Sequence, residues 1–319
     1  MTGLRIELGR LSRAAPAPAG SEVTWAAQRE DGRRRCSTQA SILNPQSQNG
    51  FTLVELVIVI AMLGILGATV AVFIGGPVRA YFDTIARAQL TDAADTTLRR
   101  LTRELQGALP NSVRVSTSGG TTFLELVPVL DAGRYRAAAS SGAEVTGTDT
   151  LDVADPLDTQ FQVLGRPVTV PANAQLVIYN LGFAPFDVYE GSNRRSVTTA
   201  AGTASTLAFA AADAWPAESP ERRFFIVRTP VTYACTPGAN GSGRLQRIEG
   251  YALSAVQPTN LNAAPLAGAT RSLVLDNVSA CIFSLGPVLA NSNGVALTLT
   301  VGTTETTSVY AQVFLPNSP

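Results

Sequence analysis

The sequence GFTLVEL at residues 50–56 leads into a long stretch without any charged side chain. This stretch covers the 23 residues 56–78 and includes the run VIVIAML. A helix of that length rises about 34 Å, which is enough to cross the hydrocarbon core of a bilayer. The stretch therefore predicts a transmembrane helix.

The segment before this stretch, residues 1–50, is polar and basic. It contains seven Arg and four acidic residues, so its net side-chain charge is +3. Because basic flanks stay on the cytoplasmic side of a membrane, we expect a cytoplasmic N-terminus and a C-terminal region that crosses. An ordinary secretory signal peptide fits poorly, since the apolar stretch is too long.

Two residues remain unexplained by a plain membrane anchor. Glu55 lies at the edge of the apolar stretch, where a carboxylate at membrane depth costs about 2.5–3.5 kcal/mol on insertion scales. Gly50 lies immediately before Phe51. Glu55 is therefore a candidate functional residue. The alternative is an interfacial Glu that a helix N-terminus favours.

The segment GFTLVEL matches the processing motif of type IV prepilins residue for residue, and the chain resembles that family here. In the family, a membrane aspartyl peptidase cleaves after the Gly and methylates the new N-terminal residue. The resemblance implies cleavage between Gly50 and Phe51 and methylation of Phe51. It also implies that Glu55 neutralises the N-terminal ammonium of a neighbouring subunit. An amine and a carboxylate among apolar helices are costly alone and tolerable as a pair.

The resemblance makes residues 1–50 a leader, which is longer than leaders in this family usually are. The residues next to the cleavage site, 44–49, carry no positive charge. We expect that translation starts later, at Leu43 from an alternative start codon. The leader would then consist of residues 43–50.

The helical pattern continues past the membrane stretch. Apolar residues recur mostly every three or four positions up to Leu105, and Gly107 and Pro110 are stop signals. We predict one helix from about residue 51 to 107, with a transmembrane half over 51–78 and an amphipathic half over 79–108. Two acid-first pairs at i,i+4 should support the second half: Asp83 with Arg87, and Asp95 with Arg99.

The sequence Gly75-Gly76-Pro77 interrupts the middle of this helix. Proline removes a backbone hydrogen bond and clashes with the preceding turn, so a disturbance is expected here. It is either a kink at the membrane exit or a segment that unwinds when the subunit packs into a filament.

After Asn111 the pattern changes to alternating and β-branched runs separated by turn-rich segments. We predict one antiparallel sheet in a domain over residues 109–319, with long excursions at 131–222. The predicted fold class is α+β and type IV pilin-like, with the long N-terminal helix packed on the sheet. The candidate strands are 123–130, 176–179, 224–228, 245–253, 272–278, 281–285, 295–301 and 308–314.

The chain has three cysteines, of which Cys36 would leave with the leader. Cys235 and Cys281 then form an even pair in a region that we expect to be exported. Such a pair predicts a disulfide. The alternative is two buried free thiols.

The composition argues against catalysis, because the chain has no His and all 24 basic residues are Arg. His-based triads and His-based zinc sites are therefore excluded. We expect no enzymatic activity, no catalytic residues and no cofactor. Nucleic-acid binding is not expected either, since the net charge is zero and the pairs Arg194-Arg195 and Arg222-Arg223 are too short.

Four aspartates recur every third residue, at Asp149, Asp152, Asp155 and Asp158. Carboxylates attract hard cations, so a calcium site is conceivable. The spacing is not that of an EF-hand, and a solvated loop is the preferred interpretation. We predict no metal site.

Further segments resemble the O-type minor prepilins of the mannose-sensitive haemagglutinin (MSHA) pilus. This resemblance implies a minor pilin that helps initiate or cap a pilus, with a prepilin peptidase, major and minor pilins and the inner membrane as partners. The alternatives are a minor pseudopilin of a type II secretion system and a pilus-tip adhesin. The similar segments are 77–84, 92–95, 108–115, 177–182, 224–227, 229–235, 250–252 and 278–281.

Overall fold

The computed structural model describes residues 50–137, 149–289, 292–303 and 305–315. The chain separates into two compact units, one up to Gly64 and one from Ile65 onward. The leader, including Cys36 and the expected start at Leu43, lies outside the described residues.

The N-terminal element is one helix, α1, which spans Leu53–Gln106 and contains 54 residues. It confirms the predicted long helix to within a few residues at each end. Pro77 lies inside the helix, and residues 75–77 are helical in this structure. Unwinding on assembly stays a prediction. The helix ends where expected: the Gly107 N–H donates to the Arg103 carbonyl oxygen at 3.1 Å.

The described residues after α1 form fifteen β-strands and two short 3₁₀ turns. The turns are Ala239–Gly241 and Leu266–Gly268. The strands are β1 Arg114–Ser118, β2 Thr121–Leu126, β3 Val129–Tyr135, β4 Gln160–Leu164, β5 Val168–Val170, β6 Gln175–Ile178, β7 Arg194–Ser196, β8 Gly202–Ala204, β9 Thr206–Ala208, β10 Arg223–Val227, β11 Val231–Thr236, β12 Gly243–Glu249, β13 Thr270–Leu289, β14 Ser292–Gly302 and β15 Thr306–Phe314.

The first sheet has seven strands in the order β1-β2-β11-β12-β13-β14-β15, and every neighbouring pair is antiparallel. The part of α1 from Leu90 onward packs on one face of this sheet, whereas Phe82, earlier in the predicted amphipathic half, is 62% exposed. Burial of such an apolar helix stripe is what holds it to the sheet. The shared core includes Ala94, Leu98, Leu101, Leu105, Leu126, Tyr233, Leu245, Leu297 and Leu299.

The prediction of a single sheet is wrong, because residues 129–227 form a separate antiparallel module. Its main sheet has six strands in the order β7-β6-β10-β3-β4-β9, and β5 pairs with β8 beside it. The module has its own aromatic core, in which the Phe161 and Phe224 ring centroids lie 5.1 Å apart. The region expected to contain long excursions and one strand, 176–179, therefore supplies most of the second sheet.

The module is inserted between two adjacent strands of the first sheet. The strands β2 and β11 pair in the first sheet, and their continuations β3 and β10 pair in the module. Pro128 lies at one crossing and Pro230 at the other. Because proline has no N–H to donate, the ladder cannot run unbroken from one sheet into the other.

Two predicted strand boundaries also differ from the structure. The candidate strands 272–278 and 281–285 are one long strand, β13. Asn277 adopts φ +53°, and the pairing with β14 shifts between Val278 and Ala280. The interruption in the sequence pattern therefore marks a β-bulge within one strand, not a strand end. The candidate strand 123–130 is divided instead, because Val127 and Pro128 separate β2 from β3.

A buried asparagine, Asn180, links the residues that follow α1 to the module through hydrogen bonds. The Asn180 Nδ2 donates to the Pro110 carbonyl oxygen at 2.7 Å, and its Oδ1 accepts the Val188 N–H at 2.7 Å. The Tyr189 hydroxyl donates to the Ser112 carbonyl oxygen at 2.8 Å. These bonds satisfy backbone groups that would otherwise be buried without partners.

Candidate functional site

The predicted cleavage site lies in a short non-helical segment before α1. Gly50 and Phe51 are both exposed, and Phe51 retains 79% of its accessible surface. Thr52 caps the helix, since its Oγ1 accepts the Glu55 N–H at 3.2 Å. The Gly50–Phe51 peptide bond is therefore outside the helix and accessible, as a peptide bond must be to enter a peptidase active site.

Thr52 and Glu55 have the spacing of a capping box, in which the cap hydroxyl and the Glu carboxylate bond reciprocally to the backbone. The Thr52 half of this arrangement is present. Among the described residues, no side chain forms an ion pair with Glu55. Sequence patterns singled out Glu55 and missed Thr52, although the spacing Thr-x-x-Glu was the available signal.

The first part of α1 exposes its apolar surface on all sides. Residues 50–84 are all exposed, including Ile65 at 67% and Phe73 at 80% of the accessible surface. By length and composition α1 can cross a membrane. A continuous apolar surface of this size needs lipid or other protein to cover it.

The two remaining cysteines form the predicted disulfide. Cys235 on β11 and Cys281 on β13 are bonded with an S–S distance of 2.00 Å. The bond joins two strands that are not neighbours in the first sheet and lies at the core shared with α1, where Cys235 is fully buried. The alternative of two free thiols is wrong for this structure.

One of the two predicted helix ion pairs is present. Arg99 Nε lies 2.6 Å from Asp95 Oδ2. Arg87 does not pair with Asp83 but contacts Glu305, with Nη2 to Oε2 at 2.7 Å. Glu305 precedes β15, so the tertiary fold offers Arg87 a partner that local spacing could not reveal.

The aspartates at 149–158 lie in turns, in agreement with the predicted loop. Asp158 Oδ2 accepts the Asp152 N–H at 2.6 Å, and Asp155 Oδ1 accepts the Leu157 N–H at 2.9 Å. These carboxylates cap backbone groups, as aspartates commonly do in turns. The described residues contain no group of three His, Cys, Asp or Glu side chains placed to hold a metal ion.

The two arginine pairs are divided between different environments. Arg195 is buried, with its guanidinium carbon 4.4 Å from the Trp215 ring centroid, and donates to the Asp213 carbonyl oxygen. Arg222 pairs with Glu218, and Arg223 pairs with Glu221. Arg195, Arg222 and Arg223 thus have partners within the protein, whereas the Arg194 side chain has no hydrogen bond or ion pair within the described residues.

Sequence patterns missed a buried polar network on the first sheet. Glu125 is fully buried on β2, where its Oε2 lies 2.6 Å from Arg114 Nε and its Oε1 accepts the Tyr251 hydroxyl at 2.9 Å. Burial raises the pKa of Glu125 above its ordinary value, although the Arg114 charge opposes this shift. The sequence signal for this network was a carboxylate within the mostly apolar run TFLEL, residues 122–126. The network is fully bonded and joins β1, β2 and the segment after β12.

Comparison with known proteins concerns the N-terminal segment. The prokaryotic N-terminal methylation motif matches residues 45–71, which include Gly50, Phe51 and Glu55. No solved structure matches the chain. The motif implies processing by a prepilin peptidase, assembly with pilins and association with a membrane. The chain thus carries the N-terminal methylation motif of type IV prepilin-like proteins on an α+β, pilin-like fold.

Proposed function

We propose that the chain is a minor type IV pilin that is cleaved after Gly50, methylated at Phe51 and then helps to initiate or cap a pilus. The observation that carries this proposal is the methylation motif followed at once by an uncovered apolar helix. The mature chain would contain residues 51–319. A subunit of that size is large for the repeating subunit of a filament.

The first step of the proposed pathway is insertion into the inner membrane with the N-terminus in the cytoplasm. In the full sequence, the seven arginines before residue 50 favour this orientation, whereas a start at Leu43 would leave no basic residue there. The peptidase then cleaves at the cytoplasmic face, where the Gly50–Phe51 bond precedes the first helical turn. The β-rich domain lies on the other side of the membrane and later on the pilus surface.

The second step is assembly through the same segment. Cleavage creates a new ammonium group at Phe51, and Glu55 supplies a carboxylate without an ion-pair partner in the described part of the chain. Inside a filament, the amine of one subunit would pair with the carboxylate of the next. Each charge alone would be strongly destabilising among apolar helices, and pairing removes most of that penalty.

The activity we propose is assembly and not chemistry. The chain has no His, and its best-defined polar network, around Glu125, is bonded within the protein. The segment similarities noted above favour the MSHA pilus as the system. A minor pseudopilin of a type II secretion system shares the same N-terminal requirements and is the main alternative.

The decisive experiment is deletion of the gene, followed by counts of surface pili and an assay of type II secretion. We expect pili to be lost and secretion to be retained, and the intact gene should restore the pili. Normal piliation in the deletion strain would refute the proposal, and loss of secretion with normal pili would support the pseudopilin alternative.

A further inference from the structure

An open cleft of about 360 Å³ lies where the inserted module meets the first sheet. Four parts of the chain contribute: the segment around β6, the start of β7, the crossing from β10 to β11, and the segment after β12. This volume is within the range of small-ligand sites, which is about 300–1,000 Å³. The residues that line it are Asn173, Gln175, Arg194, Arg228, Thr229, Ala252 and Leu253.

The charge in this cleft is entirely positive. Its lining contains two arginines and no acidic residue. Most other arginines in the described ranges bond to a carboxylate, an amide or a backbone carbonyl. Within the described ranges, Arg194 and Arg228 have no such bond, and both line this cleft.

The position of Arg194 is set by the local backbone. It lies at the start of β7, opposite Val177 on β6. A Cβ on Gly191 would come within 2.9 Å of the Arg194 Nη2, and Gly191 has φ +100°, so glycine is required there. The Arg194 guanidinium therefore lies close to the backbone of Gly191.

Arg194 is half-buried without a neutralising contact. Burial lowers the pKa of its guanidinium, and Asp187 opposes this shift from beyond salt-bridge distance. A charge removed from water without a partner costs free energy, which a bound anion would recover. Arg228 is exposed and lines the same cleft, so it can also contact such an anion.

We propose that this cleft binds a small ligand with a carboxylate group, of the size and polarity of a sugar acid. Arg194 and Arg228 would bond to the carboxylate, since guanidinium groups match it in geometry. Asn173 offers an amide for hydroxyl groups, the Gln175 amide bonds to Ser196 at the edge of the cleft, and Leu253 offers an apolar wall. This inference does not depend on filament assembly.

The test is calorimetric titration of the full chain in nonionic detergent, at fixed chloride ionic strength, with glucuronate and with neutral glucose. We expect glucuronate to bind at least about tenfold more tightly than glucose. Arg194→Gln and Arg228→Gln should each weaken glucuronate binding by at least about tenfold. Arg244→Gln is the matched control, because it removes an exposed arginine on β12 that has no bonding partner in the described ranges. It should leave the affinity unchanged.

Arg228 is exposed, so its variant keeps the test valid even if the Arg194 variant does not fold. Circular dichroism will establish folding of each variant. Equal binding of glucose and glucuronate, or equal loss in the Arg244 variant, would overturn the proposal. A tetraglutamate peptide that binds through the same arginines in preference to glucuronate would also overturn it, since the cleft would then serve a protein partner.

Discussion

The Arg247 Nε on β12 lies 3.1 Å from the Glu104 Oε2 near the end of α1. Both side chains are mostly covered, with 14% and 24% of their surface exposed. The Arg247 Nη1 also lies 2.7 Å from the Glu249 Oε2. This contact fixes the last turns of α1 on the first sheet, so the helix is joined to the sheet by an ion pair as well as by apolar packing.

Replacing Arg247 by Met should lower the free energy of unfolding by about 1–3 kcal/mol, because the mostly covered Glu104 keeps only its contact with Arg100 at 3.3 Å and Glu249 loses its partner. Urea unfolding of the full chain in detergent, followed by circular dichroism, measures this. Arg99→Met is the control: Asp95 and Arg99 form an exposed pair, and its loss should change stability much less than the loss of Arg247 does. Equal effects of the two variants would contradict the assigned role of Arg247.

Replacing Glu55 by Gln should leave cleavage intact and reduce incorporation into pili by at least about tenfold, because the neighbouring ammonium loses its counter-charge. Glutamine still fits a capping box, so the variant isolates the charge from the helix cap. Mass spectrometry measures cleavage and immunoblots of sheared pili measure incorporation. Glu305→Gln, which alters an exposed acid on the domain, is the control. Normal incorporation of the Glu55 variant would count against pairing.

Replacing Gly50 by Val should block processing, since the motif places cleavage after a residue without a side chain. The full leader should then remain on the chain when its mass is measured. Gly64→Val, within α1, is the control and should be processed normally, because a Cβ there meets nothing within 4 Å. Cleavage of the Gly50 variant would show that processing occurs at another peptide bond.

Removing the disulfide with Cys235→Ala and Cys281→Ala should lower the free energy of unfolding by about 2–5 kcal/mol. The bond closes a loop with a sequence separation of 46 residues, and its loss restores freedom to the unfolded chain. Urea unfolding measures the change. Wild-type chain unfolded with a reductant present should approach the double variant. Unchanged stability of the double variant would show that loop closure contributes little.

The stability of the inserted module should depend on acid pH through Asp131. Burial acts to raise the pKa of this carboxyl, but N–H donors from Thr169 and Ala132 and the Arg166 charge outweigh it, so the pKa is lowered from 3.8. A lowered pKa in the folded state gives stability that is present above pH 3.8 and is lost as pH falls through the folded value.

Asp131→Asn should therefore lower stability by about 1–3 kcal/mol at neutral pH and reduce its decline below pH 3.8. Trp215 lies in the core of the module, so its fluorescence during urea unfolding at several pH values is the measurement. Asp276→Asn, on β13 outside the module, is the control. An unchanged pH profile in the Asp131 variant would contradict the assignment.

Local sequence patterns predicted the elements whose signals are local. The period of apolar residues predicted α1, and Gly107 with Pro110 predicted its end. Alternating runs predicted the centres of β6, β10, β14 and β15. The methylation motif predicted the candidate processing site at Gly50 and Phe51 without any knowledge of the fold.

By itself, the sequence determined an apolar helix with a processing motif, followed by β-strands and a pair of cysteines. Only the tertiary structure decided that residues 129–227 form an inserted module, that Arg87 pairs with Glu305, and that Arg194 and Arg228 share a cleft. The physical reason is the range of each interaction. Helix and strand periods arise between near neighbours, whereas strand partners, ion pairs and clefts depend on which distant segments pack together.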